Sequence, residues 1–203
     1  MKRTITILTG MFAILAVACL ASPAGAVTLT KYSTDPTATW GLTLLDDPTV
    51  TACGTSPTWT NLAYMVSQVA FDENSATAMH DDGYPVGVAW TVDFGSTKSI
   101  EGFYYMQHPN AAYAGTTGSE LILSVNSDFS SPVTITGLSH DTGASADTWW
   151  KFSESVTARY VRWKITAKSV TYGAAAEMNF YTPEPATVAI LGLGSLVLLL
   201  KRR

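Results

Sequence analysis

The body of this chain reads as an all-β, antiparallel sandwich, and three observations predict it. Apolar and polar residues alternate with period two in several runs, turn-forming clusters separate those runs, and no long amphipathic helix interrupts them. Trp90, Val92 and Phe94 alternate with Ala89, Thr91 and Asp93. Leu121, Leu123 and Val125 alternate with Ile122, Ser124 and Asn126, and Val161, Trp163 and Ile165 with Tyr160, Arg162 and Lys164. Gly95-Ser96-Thr97-Lys98, Asn126-Ser127-Asp128 and the stretch from Gly137 to Gly143 supply the turns. Only residues 61–70, with Leu62, Met65, Val66 and Val69 at helical spacing, suggest a short helix or an irregular segment.

The two ends differ in kind from this body. Lys2 and Arg3 precede an apolar stretch from Ile5 to Leu20, and Ala24-Gly25-Ala26 forms a small-residue cleavage site, so residues 1–26 read as a signal helix of an exported chain. Cys19 fits a lipoprotein box poorly, because the leucine before it is displaced by one position, and cleavage after Ala26 is the expectation. At the other end Pro183, Glu184 and Pro185 precede an apolar run from Ala186 to Leu200 and the terminal Lys201, Arg202 and Arg203. The prolines separate that run from the body, since each lacks an N–H and restricts its predecessor. As a helix the run would be roughly 22 Å long against a hydrocarbon core of ~30 Å, a marginal span whose basic end favours the cytoplasm. In this order the three parts resemble the PEP-CTERM sorting signal of Gram-negative bacteria. The resemblance implies recognition and removal by an exosortase-type membrane protease, transient residence in the inner membrane, and a final place at the cell surface or in the extracellular matrix.

Residues 27–182 remain as one domain of about 155 residues, long enough for a substantial core. They carry seven Lys and Arg against fifteen Asp and Glu, a net charge of −8. Such a surface, without a basic run, repels phosphates and argues against nucleic acid as a partner. Cys53 is the one cysteine left, so no intrachain disulfide forms, and it reads as a small buried hydrophobe. No metalloprotease, serine hydrolase, paired-cysteine or phosphate-loop motif is present, and the reading is of a protein without catalysis.

Five motifs then fall in a recognisable order: Ala70-Phe71-Asp72-Glu73-Asn74-Ser75-Ala76-Thr77, Trp90-Thr91-Val92-Asp93-Phe94-Gly95, Ile100-Glu101-Gly102-Phe103-Tyr104-Tyr105, Ala158 to Ile165, and Ala176-Glu177-Met178-Asn179-Phe180-Tyr181. Together, over residues 70–181, they resemble the discoidin or coagulation-factor C-type domain, which implies a galactose-binding-like jelly roll. The chain departs from that family's pattern at Glu73 and Met79, where glycine and tryptophan are usual. The resemblance also implies a structural calcium ion held by Asp72, Thr77 and Glu177, joining the first loop to the last strand with the hard oxygen ligands that calcium prefers. Read from the residues alone, Asp72 is equally an Asx-type turn.

Loop aromatics supply the candidate ligand site: Tyr84, His108, Tyr113, His140, Trp149 and Trp150 would offer ring faces and polar tips to a surface glycan or exopolysaccharide. Trp149 and Trp150 must point to opposite faces if they lie on a strand, which would make at least one of them core. His80-Asp81-Asp82 before Gly83 reads as a solvated loop, Asp46-Asp47-Pro48 as a turn, and Arg159 and Arg162 as packing and pairing residues. Two functions follow: a non-catalytic carbohydrate-binding module, or a structural envelope or matrix component without a dedicated ligand.

Overall fold

The computed structural model describes residues 27–45, 48–55, 68–71, 75–76, 78–81, 83 and 85–183. In chain order the elements are β1 (Leu29–Tyr32), α1 (Thr37–Trp40), β2 (Leu42–Leu44), β3 (Thr49–Thr55), a 3-10 turn (Gln68–Phe71), β4 (Met79–His80), β5 (Val88–Met106), β6 (Thr116–Ser124), β7 (Val133–Ser139), β8 (Asp147–Lys168), β9 (Ala174–Ala175) and β10 (Glu177–Pro183). The pairings between strands are antiparallel.

The architecture follows from one long ribbon. β5 and β8 pair from Ala89↔Lys164 to Met106↔Asp147, with register slips between Asp93 and Lys98 and between Ile100 and Gly102. Laid straight, a ribbon of this length would reach about 60 Å, yet its two ends meet. Tyr105, near one end, stacks on Trp163, near the other, with ring centroids 5.5 Å apart. Gln107 Nε2 donates to the Thr116 carbonyl, and Thr116 pairs with Lys168. The ribbon therefore folds over at its middle, where Gly95 takes a φ of 71° that side-chain-bearing residues rarely adopt. The turn expected at Gly95–Lys98 is this bend.

Each half of the ribbon recruits its own neighbours. β3 joins the first half of β5, and β6 and then β7 join the second half of β8, making one layer. β10 and then β2 join the second half of β5, and β1 joins the first half of β8, making the other. Trp90, Val92, Leu121, Leu123, Val161, Trp163 and Ile165 face Ile100, Phe103, Tyr105, Trp150, Phe152, Met178 and Phe180 across the core. The alternation read from the sequence is this inward face. Val125 is an exception: it lies past the end of β6 and is exposed. Gly137, expected in a loop, sits inside β7 at a φ of 78°.

The amino-terminal segment covers the outer face of the second layer. Trp40 lands there with Trp149 and Tyr181, against Tyr32, Leu42 and Tyr104. Its ring meets Tyr181 edge-on at 5.4 Å, and a Cβ at Gly102 would stand 2.8 Å from it, so the strand beneath must be glycine for the indole to seat. Trp149 and Trp150 do point to opposite faces of β8, and both are buried, because each face has a cover. The Cys53 side chain and the segments 46–47, 56–67 and 1–26 lie outside the described residues, and the expectations made for them fall there.

Candidate functional site

Both ends of the ribbon meet at one pole of the sandwich, and four aromatic side chains gather there. β4 pairs with β9 through His80↔Ala174, which sets His80 beside the β8–β9 connection and Tyr172. A buried ion pair fixes that connection. Asp81 is fully buried and accepts from Lys168 Nζ at 2.6 Å, from the Gly173 N–H at 2.9 Å and from the Gly83 N–H at 3.1 Å. Lys168 Nζ also donates to the Thr171 carbonyl at 2.7 Å. Asp81 is thus a structural clamp, which corrects the reading of His80-Asp81-Asp82 as a solvated loop; Asp82 itself lies outside the described residues.

The facing wall comes from the β5–β6 connection. The N–H groups of Tyr113 and Ala114 donate to the Asn110 carbonyl at 2.9 and 3.1 Å, the Ala112 N–H donates to Asn110 Oδ1, and the Asn110 N–H donates to His108 Nδ1 at 2.9 Å. Gly115 lets this wall close: a Cβ there would overlap Val170 at 2.1 Å and the Tyr172 carbonyl at 2.6 Å. The ring centroids of His108 and Tyr113 are 4.9 Å apart, Tyr113 and Tyr172 4.8 Å, His80 and Tyr113 5.2 Å, and His80 and Tyr172 5.8 Å. All four side chains are half-buried. Partial burial first, and the nearness of His80 second, hold the His108 imidazole below its ordinary titration range. Imidazoles, phenols and the exposed Asn110 amide beside flat ring faces make a surface suited to stacking on an apolar face while hydrogen-bonding hydroxyls.

Residues 49–178 match the F5/8 type C domain. The chain belongs to that family. Residues 182–203 match the PEP-CTERM protein-sorting motif, so the F5/8 type C domain carries a sorting signal at its carboxyl end. No curated protein matches the chain at a significant level. Among solved structures, the fold of this F5/8 type C domain is similar to the family 32 carbohydrate-binding module of Clostridium perfringens NanJ in complex with galactose, at 13% identity and a TM-score of 0.53, covering 69% of this chain and 98% of that one. A second Clostridium perfringens module, CpGH89CBM32-5 in complex with GalNAc-β-1,3-galactose, aligns at 20% identity and a TM-score of 0.51 over 68% and 99%. The paired first and second family 32 modules of ZmpB from the same organism, in complex with GalNAc, align at 13% and 0.59 over 77% and 39%.

The F5/8 type C domain brings together two of the six ligand residues read from the sequence, His108 and Tyr113. Tyr84 lies outside the described residues. The other three are corrected as exposed stacking groups. Trp150 packs in the main core, and Trp149 lies under Trp40 and Tyr104, its ring 4.9 Å from that of Tyr104. His140 is buried with Nε2 2.7 Å from Ser119 Oγ and its ring 4.0 Å from that of Tyr105. Desolvation first, and the Lys31 charge second, push the His140 pKa down to about 3. The sequence reading missed His80 and Tyr172. Tyr172 sits in a Ser/Thr/Gly-containing connection, the same signal that selected Tyr113, whereas a two-residue strand such as β4 shows no period by which to place His80.

Arg159 and Arg162 pack and pair as read. Arg159 grips Asp93 with two hydrogen bonds of 2.8 and 2.9 Å, and Arg162 lies 3.8 Å from the Phe129 ring centroid. Of the calcium ligands implied by the resemblance, Asp72 and Thr77 lie outside the described residues. Glu177 is described and buried, at the first position of β10. Phe71 stacks on Phe180 of the same strand at 6.5 Å, so the chain runs into residue 72 from a turn packed on β10. Pro183 is the last residue of β10, while Glu184, Pro185, Lys201, Arg202 and Arg203 lie outside the described residues.

Proposed function

We propose that this is an exported, non-catalytic, glycan-binding protein of the cell surface or extracellular matrix. The observation that carries the reading is the half-exposed cluster of His80, His108, Tyr113 and Tyr172, held on two clamped connections at one pole of a fold whose structural neighbours bind galactose and GalNAc. A sugar ring would lie on the Tyr113 or Tyr172 face, with the imidazoles and Asn110 pairing its hydroxyls. Rings and amides fit a neutral sugar better than an acidic one, because the body's net charge of −8 opposes an anionic polymer. β10 leaves the body at the bend pole, away from this cluster, so before tail processing the cluster would face away from the membrane.

The sorting motif supports processing by an exosortase-type protease after transient residence in the inner membrane. Mass spectrometry of the surface pool would find chains beginning near Val27 and ending near Pro183 to Pro185; an intact Arg203 terminus there contradicts it. The buried Glu177 carboxylate, with Asp72 and Thr77, would hold a calcium ion that ties the first loop to β10. Bound there, the ion would take the hard oxygen ligands that calcium prefers and join two segments distant in sequence.

The burial of Trp149, Trp150 and His140, and the mutual stacking of the pole aromatics, favour a second reading, a matrix component without a ligand. A glycan array of neutral and acidic polysaccharides separates the two: selective retention on neutral glycans supports binding, and uniform blankness supports the structural role.

A further inference from the structure

The bend pole carries a second concave surface. The β6–β7 connection and the face of β8 form a shallow groove, wide open to solvent, of about 490 Å³, lined by the exposed Val125, Asn126, Ser127, Asp128 and Ser130 and the half-buried Tyr160. That volume is in the range that holds a small ligand. The groove is preformed. Phe129 and Ser131 stand at φ 56° and 53°, a left-handed conformation that residues other than glycine keep only where their surroundings impose it. The Arg162 guanidinium under the Phe129 ring is part of that imposition. Ser130 N–H donates to Asp128 Oδ1 at 2.9 Å, and Asn126 Nδ2 donates to Ser130 Oγ at 3.0 Å. Arg159, tied to Asp93, lies 5.0 Å from the half-buried Tyr160 ring and steadies the groove's aromatic wall.

We propose that this groove is a second sugar-binding site, for a neutral hexose residue of a glycan, and that the domain thereby grips two glycan segments at opposite poles. The inference rests on the glycan-binding reading above. Its chemistry is a ring face in Tyr160, a carboxylate in Asp128 that accepts from sugar hydroxyls, and an amide and serine hydroxyls that both donate and accept. Asp128 also selects against uronic acids, because its carboxylate stays ionised under the Ser130 N–H. The poles are separated by the nine residues of β6, about 30 Å. A single disaccharide cannot bridge that distance, so double occupancy joins two chains or two distant segments, with a gain in avidity and no new contact.

The test is amide chemical-shift titration of the full chain, in a polyoxyethylene detergent free of sugar, with galactose and N-acetylgalactosamine as probes. Turbidity with a soluble galactan is read in parallel. Two separate sets of shifts are expected, one over residues 108–115 and one over 125–130. Asp128→Ala should erase the second set alone, and so should Ser127→Trp, which fills the groove while leaving the Asp128 and Tyr160 side chains in place. Either variant should also abolish galactan turbidity. Shifts confined to residues 108–115, with turbidity unchanged in both variants, overturn the second site and leave the first reading intact. The absence of shifts at both poles with both sugars overturns the reading and the inference together.

Discussion

Lys168 Nζ lies 2.6 Å from Asp81 Oδ2, with 9% of one side chain and none of the other exposed. The pair joins the end of β8 to the residue after β4, and two of the four pole aromatics hang on that junction. Lys168→Met would leave a buried carboxylate without its counter-charge, a loss of about 3–5 kcal/mol. Urea unfolding should register it. Adding Asp81→Asn to Lys168→Met should recover part of the loss, because the uncompensated charge is then gone.

His140 makes stability depend on acid. Its folded pKa of about 3 lies below the ordinary value of 6.5, so the unfolded chain takes up the proton first as pH falls. This contribution is whole above pH 6.5 and declines from there towards pH 3, with a limiting slope of about 1.4 kcal/mol per pH unit. Asp93 and Asp141, whose carboxyls are held low by Arg159 and Lys31, also lose stabilising charge in acid. The difference between wild type and His140→Gln isolates the histidine: urea midpoints at pH 8, 6, 5 and 4 should fall more steeply for wild type, and parallel falls would remove His140 from the account.

Gly102 and Trp40 form a close contact that a methyl group would destroy. Gly102→Ala places a Cβ 2.8 Å from the indole and 3.1 Å from the Tyr181 Cβ, an overpacking cost of about 1–3 kcal/mol. Trp40→Ala should cost about 3–5 kcal/mol by opening the outer cluster. In the double variant the two losses should sum to less than their separate values, because the clash partner is absent. Strict additivity would mean that the indole is not the obstacle.

If calcium joins Glu177 to the first loop, chelation should lower Tm, by the equivalent of ~2.7 kcal/mol when the free ion was a hundredfold above its dissociation constant. Glu177→Gln should melt at one temperature with and without chelator. Equal melting of the wild type in both conditions would leave the Asx-turn reading of Asp72.

The sandwich was legible because its strands are buried on one face and alternate accordingly: Trp90, Leu121 and Val161 repeat at period two for that reason. The motif order then identified the family. What period two could not reveal is that the outer face of β8 is also covered. Trp149 looked available because its cover, Trp40, lies 109 positions earlier in a segment with no recognisable motif. Asp81 looked solvated because its partner, Lys168, is 87 residues away, and proximity of that kind is a product of the folded ribbon. His108 and Tyr113 were found because they share one short connection. His80 and Tyr172 complete their cluster only through the β4–β9 pairing.

The most direct test of the account is calorimetric titration of the full chain and of Tyr113→Ala with the neutral glycan that the array retains. The account predicts weak saturable binding by the wild type and at least a tenfold loss in Tyr113→Ala at a temperature where the variant remains folded, because one stacked ring contributes about 1.4 kcal/mol or more. Binding that survives Tyr113→Ala, or a wild type that binds no glycan, would contradict it.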